Sequence, residues 1–495
     1  MKKYNSKIVY PLSLLILLAV MLTLGSCKKM LETKVYSQLT PQNFYKSEGD
    51  ANAALITLYI PFSSNWGNTD PGSGTWYAAL YNADIKTYLL HSVASTDEIG
   101  TDWDANLTNF TWGPSTWTGA NDPTYYKISY VAKATEIISA INNTSGLTDA
   151  VKKSYIAQAK TLRAWQMYVL YDFYGPVNVK TDPAVLTDTA ATPRPTAEVY
   201  SAQIEKDLTE AIPDLKDKYN ADAANWGRIS KGVARMLLLK LYMHNKQWDK
   251  AESIGKEIIN MGYALQPVYA NIFKTKANGE LIYAVPANDA SPNYWMQEVL
   301  PGDFKASVPT TRGPGWAGYY MPWAFYDKYE ATDTRKTTII DSYTRTNGSI
   351  MTRTSGLRGA IPLKYTGITG DGPGYAIDVV VFRYAEVLLS VAEAVNELRG
   401  PADAYQYVNQ VRKRAGVIDF SGMTKEQLRT ALLDERGREL YAEGTRRQDL
   451  IRNGTYISNA IARGKTNAKP TMVLFPIPNA VIVAGRGVIS QNAGY

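Results

Sequence analysis

The chain has 495 residues, and its 53 lysines and arginines against 46 aspartates and glutamates give a formal net charge of +7. The positive charges are spread along the chain without a long basic run, which argues against nucleic-acid binding. A single cysteine excludes an intramolecular disulfide and a cysteine-ligated zinc site. Two histidines leave almost no material for a histidine-based catalytic triad or metal site.

Residues 1–26 are typical of an export signal. Three lysines precede the apolar run at 12–24, which as a helix reaches only about 20 Å, whereas the core of a bilayer is about 30 Å thick. Residues 24–27 read LGSC and resemble a lipobox, the bacterial signal at which the chain is cut before an acylated cysteine. We therefore expect Cys27 to be the lipidated N-terminus and residues 27–40 to be a tether; an ordinary signal peptide with a leftover cysteine is the alternative.

The remainder, residues 41–495, is predicted to be one domain in which helical periodicity alternates with irregular sequence. The helical scaffold comprises residues 123–261 and 379–454, and the irregular insertions comprise 64–122 and 262–378. Because long irregular segments inside a compact domain are commonly functional, we expect the insertions to bind ligand. The predicted helices lie near 50–63, 123–142, 150–173, 196–214, 230–245, 248–261, 379–398, 402–415 and 425–443.

Several of these helices carry start and stop signals. Thr196 is placed to cap the N-terminus of its helix, and Thr424 with Gln427 forms the pattern of a capping box. In 379–398 apolar residues recur at steps of three and four, and Gly400 ends that helix.

Two pairs of these helices, 230–261 and 379–415, have the length of helical hairpins. Ala251 lies where the second helix of a tetratricopeptide (TPR) unit requires a small residue, but the full repeat consensus is absent. After them, Glu435, Glu439 and Glu443 recur at steps of four among several arginines. We interpret that stretch as a structural ion-pair network.

Eight motifs in this order resemble the SusD/RagB family of surface lipoproteins, which capture nutrients beside a TonB-dependent transporter. The motifs are STDEIGTDW (95–103), AKTLRAWQMYVLYDFYGPV (159–177), RISKGVARMLLLKLYM (228–243), FRYAEVLLSVAEAVN (382–396), VNQVRKRAG (408–416), DERGRELYAEGTRRQDLIRNG (434–454), LFPIPNAVI (474–482) and SQNAGY (490–495).

The resemblance implies a mainly α fold, in which four TPR-like helical hairpins form a scaffold and the irregular insertions form a binding face on one side. It also implies an outer-membrane protein that is lipid-anchored and exposed at the cell surface. Its partner would be a SusC-like TonB-dependent transporter, over which it acts as a hinged lid. The family binds ligands without catalysis, so we expect no enzyme.

Aromatic residues of the insertions are the candidate ligand contacts, because the chain has 35 tyrosines and 11 tryptophans against only 10 phenylalanines. The apolar face of a sugar ring can lie on an indole or phenol while polar side chains hold its hydroxyls. Trp103, in the Asp-Trp pair of the family, and Trp316, between glycines, are the strongest candidates; each ring can alternatively pack an irregular loop. The other candidates are Trp76, Trp112, Trp295, Tyr294, Tyr320, Trp323, Asp97, Asp102, Asn106 and Arg312.

Alternatives remain for the ligand and for the acidic residues. We expect an oligosaccharide ligand; the alternatives are a RagB-like role in peptide capture and a TPR-type scaffold without a ligand of its own. Asp97, Glu98, Asp102 and Asp104 are compatible with a calcium site, although capping of turns is the simpler interpretation. No other cofactor is expected.

Overall fold

The structure, a computed structural model, describes residues 47–65, 79–84, 86–115, 124–305, 315–365 and 376–495. The predicted signal and tether, with Cys27, and the candidate site residues Trp76 and Arg312 lie outside the described residues. In the described ranges the fold is mainly helical with short strands. No helix within them combines the length and hydrophobicity that crossing a membrane requires.

The α-helices of the described ranges are α1 (Glu48–Thr57), α2 (Tyr88–Ala94), α3 (Ala105–Thr108), α4 (Ile128–Asn143), α5 (Asp149–Tyr174), α6 (Ala197–Ala211), α7 (Lys231–His244), α8 (Trp248–Ile259), α9 (Trp295–Val299), α10 (Trp323–Tyr326), α11 (Tyr384–Arg399), α12 (Tyr405–Ala415), α13 (Lys425–Leu440), α14 (Arg446–Arg452), α15 (Tyr456–Ala462) and α16 (Asn479–Ala484). The strands are β1 (Gly100–Thr101), β2 (Leu281–Val285), β3 (Tyr319–Tyr320), β4 (Tyr343–Thr344), β5 (Ile350–Met351) and β6 (Val379–Arg383). Short 3-10 helices span Ile60–Phe62, Tyr125–Lys127, Pro183–Val185, Ile212–Asp214, Tyr269–Phe273, Thr334–Thr338 and Pro470–Val473.

The predicted helix signals are confirmed. The Thr196 hydroxyl accepts a hydrogen bond from the backbone N–H of Val199 at 3.3 Å at the start of α6. At the start of α13, Thr424 and Gln427 exchange the two bonds of a capping box, at 3.2 and 2.8 Å. Gly400 follows α11 with a φ of +91°, a conformation that favours glycine and ends the helix.

The predicted helix at 379–398 is wrong over its first five residues. Residues 379–383 read VVVFR and form β6, which pairs antiparallel with β2. Three consecutive β-branched valines favour the extended conformation, and α11 begins only at Tyr384.

Helices pack in sequential pairs. The long helix α5 lies between α4 and α6, α7 packs against α8, and α8 packs against α11, which also contacts α12 and α13. These pairs support a scaffold of helical hairpins, while the TPR character of the pairs and the domain division stay predictions. Helix α11 is buried on all sides from Tyr384 to Asn396 because its neighbours cover it. Its buried Glu386 and Glu393 are paired with Lys240 and Arg452.

A buried network of ion pairs ties the second insertion to α13. Glu435 and Glu439 are fully buried on α13, and Arg335 contacts both, at 2.6 and 3.1 Å. Arg383 contacts Glu439 at 2.5 Å and Glu443 at 2.8 Å. The structural interpretation of this stretch is thereby confirmed, with one correction. Glu443 lies beyond the end of α13 at Leu440, so the three glutamates do not form one helical stripe.

Burial and charge oppose each other in this network. Burial alone would raise the pKa of Glu435, but Arg335 and Arg438 beside it hold that pKa lower, at about 2. The carboxylate therefore remains ionised inside the protein, and its charge is compensated by the arginines rather than by water.

Candidate functional site

A two-stranded antiparallel sheet joins the two irregular insertions. Gly100 of β1 pairs with Tyr320 of β3, and Thr101 pairs with Tyr319. A Cβ atom on Gly100 would lie 2.4 Å from the Tyr320 ring, so only glycine lets that ring lie over β1. The pairing brings residues near 100 next to residues near 320, as a binding face built from both insertions requires.

Three aromatic side chains lie together beside this sheet. We call them the aromatic surface; they are Trp103, Trp316 and Tyr294. The indoles of Trp103 and Trp316 are 45% and 44% exposed, with ring centroids 6.4 Å apart and planes inclined by 50°. Tyr294 stacks beside Trp316, at 6.3 Å and 13°. The two strongest candidates from the sequence are therefore neighbours, although 213 positions separate them in the chain.

Gly318 supports the position of Trp103. A Cβ atom on Gly318 would lie 2.3 Å from the indole, so the ring rests against bare backbone. The edge of the indole also contacts Tyr319, with centroids 5.3 Å apart. Tyr319 itself is buried and donates a hydrogen bond from its hydroxyl to the carbonyl of Ala83 at 3.2 Å.

Two of the predicted tryptophans are core residues, which corrects their assignment as ligand contacts. Trp295 is 2% exposed; it stacks on Tyr319 with planes inclined by 3°, and its indole N–H donates to the Pro362 carbonyl at 2.8 Å. Trp112 is 4% exposed and donates to the Tyr495 hydroxyl at 2.8 Å. A buried indole needs a partner for its N–H, and both rings find one inside the protein.

A cleft of about 570 Å³ opens beside β1 and β3. Tyr320 and Trp323, two further candidates, contribute aromatic rings to it, and Arg358 lies 4.2 Å from the Tyr320 ring centroid. Arg358 also pairs with Asp102 and donates to the Ala317 carbonyl at 2.7 Å. The cleft is lined by Ala94, Thr96, Ile99, Gly100, Thr101, Asp102, Ala105, Thr108, Asn109, Tyr320, Pro322, Trp323, Arg358, Arg463 and Lys465.

The remaining polar candidates are engaged within the protein. Asp97 is 8% exposed and forms a bidentate pair with Arg446 at 2.7 and 2.8 Å. Burial would raise the pKa of Asp97, but the Arg446 guanidinium holds it well below its usual range. Asp97 is therefore a structural residue, contrary to the prediction. Asn106 accepts a hydrogen bond from the Thr111 hydroxyl at 3.0 Å and is not part of the cleft lining, to which Asn109 contributes instead.

The four acidic residues near Trp103 have separate roles. Asp97 and Asp102 pair with arginines, and Asp104 caps α3 by accepting from the backbone N–H of Leu107 at 2.9 Å. Glu98 is fully buried, and burial raises its pKa well above the usual range. Within the described residues, no group of three or more histidine, cysteine, aspartate or glutamate side chains is placed to hold a metal ion. The turn-capping interpretation therefore holds for Asp104, whereas Asp97 and Asp102 are paired with arginines and Glu98 is buried.

A second groove, of about 520 Å³, lies on the helical scaffold between α6 and residues 177–195. Its lining includes Val177, Pro193 and Val199, and its aromatic residue, Tyr200, is only 2% exposed. The exposed indoles of Trp103 and Trp316 lie beside the first cleft, which the half-buried Tyr320 and Trp323 line, so this cleft and the aromatic surface together are the candidate site.

The sequence analysis missed Arg358, Arg463, Lys465 and Asn109. Arg463 and Lys465 follow α15, more than 350 positions after Ser95 and Asn109 of the first insertion, which they contact, and reach the cleft only through the fold. Nothing in their local sequence distinguishes them from other surface cations.

Two family models match the chain. The SusD family matches residues 345–495, and a family described as starch-binding and associating with the outer membrane matches residues 75–243. The SusD-like protein P25 of Formosa agariphila is 25% identical, with 92% of this chain and 93% of that protein aligned. The starch-binding protein SusD of Bacteroides thetaiotaomicron is 25% identical over 86% of this chain and 87% of that protein.

A solved structure shares the fold. The surface glycan-binding protein A from Bacteroides thetaiotaomicron, in complex with laminarihexaose, superimposes with a TM-score of 0.71. The superposition covers 90% of this chain and 99% of that one, at 22% identity. The family matches lie in both halves of the chain, and the relatives align along most of its length. The protein therefore belongs to the SusD/RagB family.

Proposed function

We propose that this protein is a cell-surface lipoprotein of the outer membrane that captures oligosaccharides and delivers them to a SusC-like TonB-dependent transporter, without catalysing a reaction. The observation that carries the proposal is the pair of half-exposed indoles, Trp103 and Trp316, beside a cleft of ligand size. Ligand sites commonly have volumes of about 300–1,000 Å³. One relative is named a starch-binding protein, and the structurally similar glycan-binding protein is in complex with laminarihexaose. Both support a saccharide as the ligand.

The geometry of the aromatic surface favours a bent chain of sugars. Because the planes of Trp103 and Trp316 are inclined by 50°, one flat sugar ring cannot stack on both indoles. Successive rings of a curved oligosaccharide can each lie on one indole, and Tyr294, nearly parallel to Trp316, extends the surface. Asp102 and Arg358 at the rim then have polar groups available for sugar hydroxyls.

The anchor and the transporter belong to the same proposal. Acylation of Cys27 holds the chain at the membrane, since two or three acyl chains on one residue bind a bilayer firmly. The family description of association with the outer membrane supports this location. A capture protein tethered beside a transporter raises the local concentration of its ligand at the entrance.

Calorimetric titration of the mature chain against a panel of neutral and acidic oligosaccharides and short peptides tests the proposal. We expect binding to at least one oligosaccharide and to none of the peptides. Binding to peptides alone would replace the proposal by the RagB-like role. If no panel member bound while the transporter was captured tightly, the chain would be a scaffold without a ligand.

A further inference from the structure

The cleft beside the aromatic surface is lined by more positive than negative charge. Arg358, Arg463 and Lys465 contribute cations, and Asp102 is the one carboxylate among the described lining residues. Asp102 pairs with Arg358. In the described part of the chain, neither Arg463 nor Lys465 forms a direct ion pair with a carboxylate; the Asp97 carboxylate acts on Arg463 only from a longer distance.

The hydrogen bonds of these two cations go to uncharged acceptors. Arg463 donates to the Asn459 side chain at 3.0 Å and to the Ser95 carbonyl at 3.1 Å. Lys465 donates to the Asn109 side chain at 3.1 Å. These bonds fix the directions of the two side chains without neutralising their charge, which is the arrangement expected of a preformed anion site.

The two cations also oppose each other. Burial lowers the pKa of Lys465, and the nearby Arg463 guanidinium lowers it further. Like charges held near each other in a partly buried site cost free energy, and an anion between them would recover it.

The helix dipole accounts for only one of the two cations. Arg463 follows α15, and a cation at the C-terminus of a helix interacts favourably with the helix dipole. The side chain of Lys465 instead extends to Asn109 in the first insertion and donates its hydrogen bond there. That bond links the segment after α15 to the first insertion but leaves the charge of Lys465 without a carboxylate partner at the cleft in the described part of the chain.

We propose that the cleft binds an acidic saccharide, with a carboxylate or sulfate group held by Arg463 and Lys465. The inference rests on the proposed function and specifies its ligand class. Tyr320 and Trp323 line the same cleft, so one ligand can place a sugar ring against an aromatic side chain and its anionic group against the cations.

Matched pairs of oligosaccharides that differ only in charge test the proposal. One pair is hexagalacturonate and its fully methyl-esterified form, and the other is sulfated and unsulfated laminarihexaose. We expect the charged member of at least one pair to bind the mature chain at least about tenfold more tightly, since charge-assisted hydrogen bonds are the strong ones. Because exposed charges are screened by salt, this preference should shrink at high ionic strength. Which pair responds identifies the carboxylate or the sulfate as the source of the charge.

Lys465→Gln and Arg463→Gln locate the preference. Each should weaken binding of the charged oligosaccharide about tenfold and leave the neutral one unchanged. Lys469→Gln, which removes an exposed lysine outside the cleft, should change neither. The Lys465 side chain makes one hydrogen bond, whereas the Arg463 side chain makes two, so we expect Lys465→Gln to disturb folding less. Lys465→Gln therefore decides the outcome if Arg463→Gln fails to fold.

Two results would overturn the inference while sparing the proposed function. One is equal affinity for the charged and neutral members of both pairs. The other is a preference for charge that survives in Lys465→Gln. Absence of binding to every saccharide, neutral and acidic, would overturn the proposed function and this inference together.

Discussion

At the scale of single residues, small side chains position the large ones. Trp103 lies against the backbone of Gly318, and Tyr320 lies over Gly100, because neither glycine carries a Cβ atom. These contacts hold the rings in place, so a ligand meets a surface that is already ordered.

Gly318→Ala tests this positioning. The added Cβ would lie 2.3 Å from the Trp103 indole, so the ring must move. We expect the affinity for oligosaccharide to fall about tenfold, because the indole no longer matches the position of the sugar. Calorimetry measures the change. Gly279→Ala, where no atom lies within 4 Å of the added Cβ, is the matched control. Equal affinities of Gly318→Ala and wild type would contradict this account.

A buried carboxyl lies beneath the aromatic surface. Burial raises the pKa of Glu298 to about 9, and the nearby Asp84 carboxylate adds to the effect. Neither carboxyl oxygen of Glu298 has a hydrogen-bond partner in the described part of the chain. The backbone carbonyl of Glu298 accepts from the N–H of Gly318 at 2.7 Å, so this residue helps to hold the loop that carries Trp316.

Titration of Glu298 should make the protein less stable as pH rises. The folded chain retains a proton that the unfolded chain loses above the ordinary value of 4.5, so stability falls between that pH and about 9. Glu298→Gln has no charge to bury. We therefore compare the unfolding free energy of the variant with that of wild type at about pH 5 and at about pH 8. The difference should shift in favour of the variant by at least about 1.4 kcal/mol between the two pH values, which is the equivalent of one pKa unit. Urea unfolding at both pH values measures this, and an unchanged difference would refute the assignment.

The sequence predicts some site residues and not others for a physical reason. Trp103 is marked in the sequence by the Asp-Trp pair of the family, and Trp316 is marked by the glycines near it. Trp112 and Trp295 have the same composition around them but are buried, and only tertiary packing decides that. Arg463 and Lys465 become cleft residues through contacts with the first insertion, which no local pattern encodes.

At the scale of elements, long helices are predictable and short ones are not. Helices α5, α7 and α13 span several turns, so their apolar periodicity and caps are visible in the sequence. Helices α14 and α15 have seven residues each, about two turns, in which a periodic pattern cannot repeat. The residues of strand β6 are predicted as helix because a short apolar run is compatible with a helix as well as with a strand.

The ion-pair network between α13 and the second insertion should contribute strongly to stability. Glu439 is fully buried and contacts Arg335, Arg383 and Arg414. Glu439→Gln leaves those guanidinium charges undercompensated, and we expect a loss of about 3–5 kcal/mol in unfolding free energy. Urea denaturation measures it.

The control is an exposed pair. Glu257 contacts Arg235 at 2.9 Å, and its side chain is 52% exposed. Glu257→Gln should cost no more than about 1 kcal/mol, because water screens exposed ion pairs. Losses of similar size in the two variants would show that the buried network is not specially stabilising.

At the scale of the whole molecule, the scaffold and the binding face come from alternating parts of the chain. The candidate site combines residues near 100, 320, 358 and 463, and the buried ion pairs fix the second insertion on α13. Such a site depends on the complete fold, so its residues are expected to lose function together when the scaffold is destabilised.

The proposed anchor gives a prediction at this scale. Full-length protein expressed in a Gram-negative host should enter the detergent-rich phase of a Triton X-114 extract, because acylated Cys27 makes it amphiphilic. Cys27→Ala should move it to the aqueous phase. A variant that still enters the detergent phase would contradict lipidation at this residue.

The central claim is that oligosaccharide binds on the aromatic surface, and one comparison tests it most directly. Calorimetric titration with the tightest-binding oligosaccharide would compare wild type, the Trp103→Ala/Trp316→Ala double variant, and Trp248→Ala, which removes a partly buried scaffold indole. We predict that each site indole contributes roughly 1–3 kcal/mol, so the double variant binds at least about thirtyfold more weakly while Trp248→Ala binds as wild type does. A double variant that folds and binds with wild-type affinity would contradict the claim.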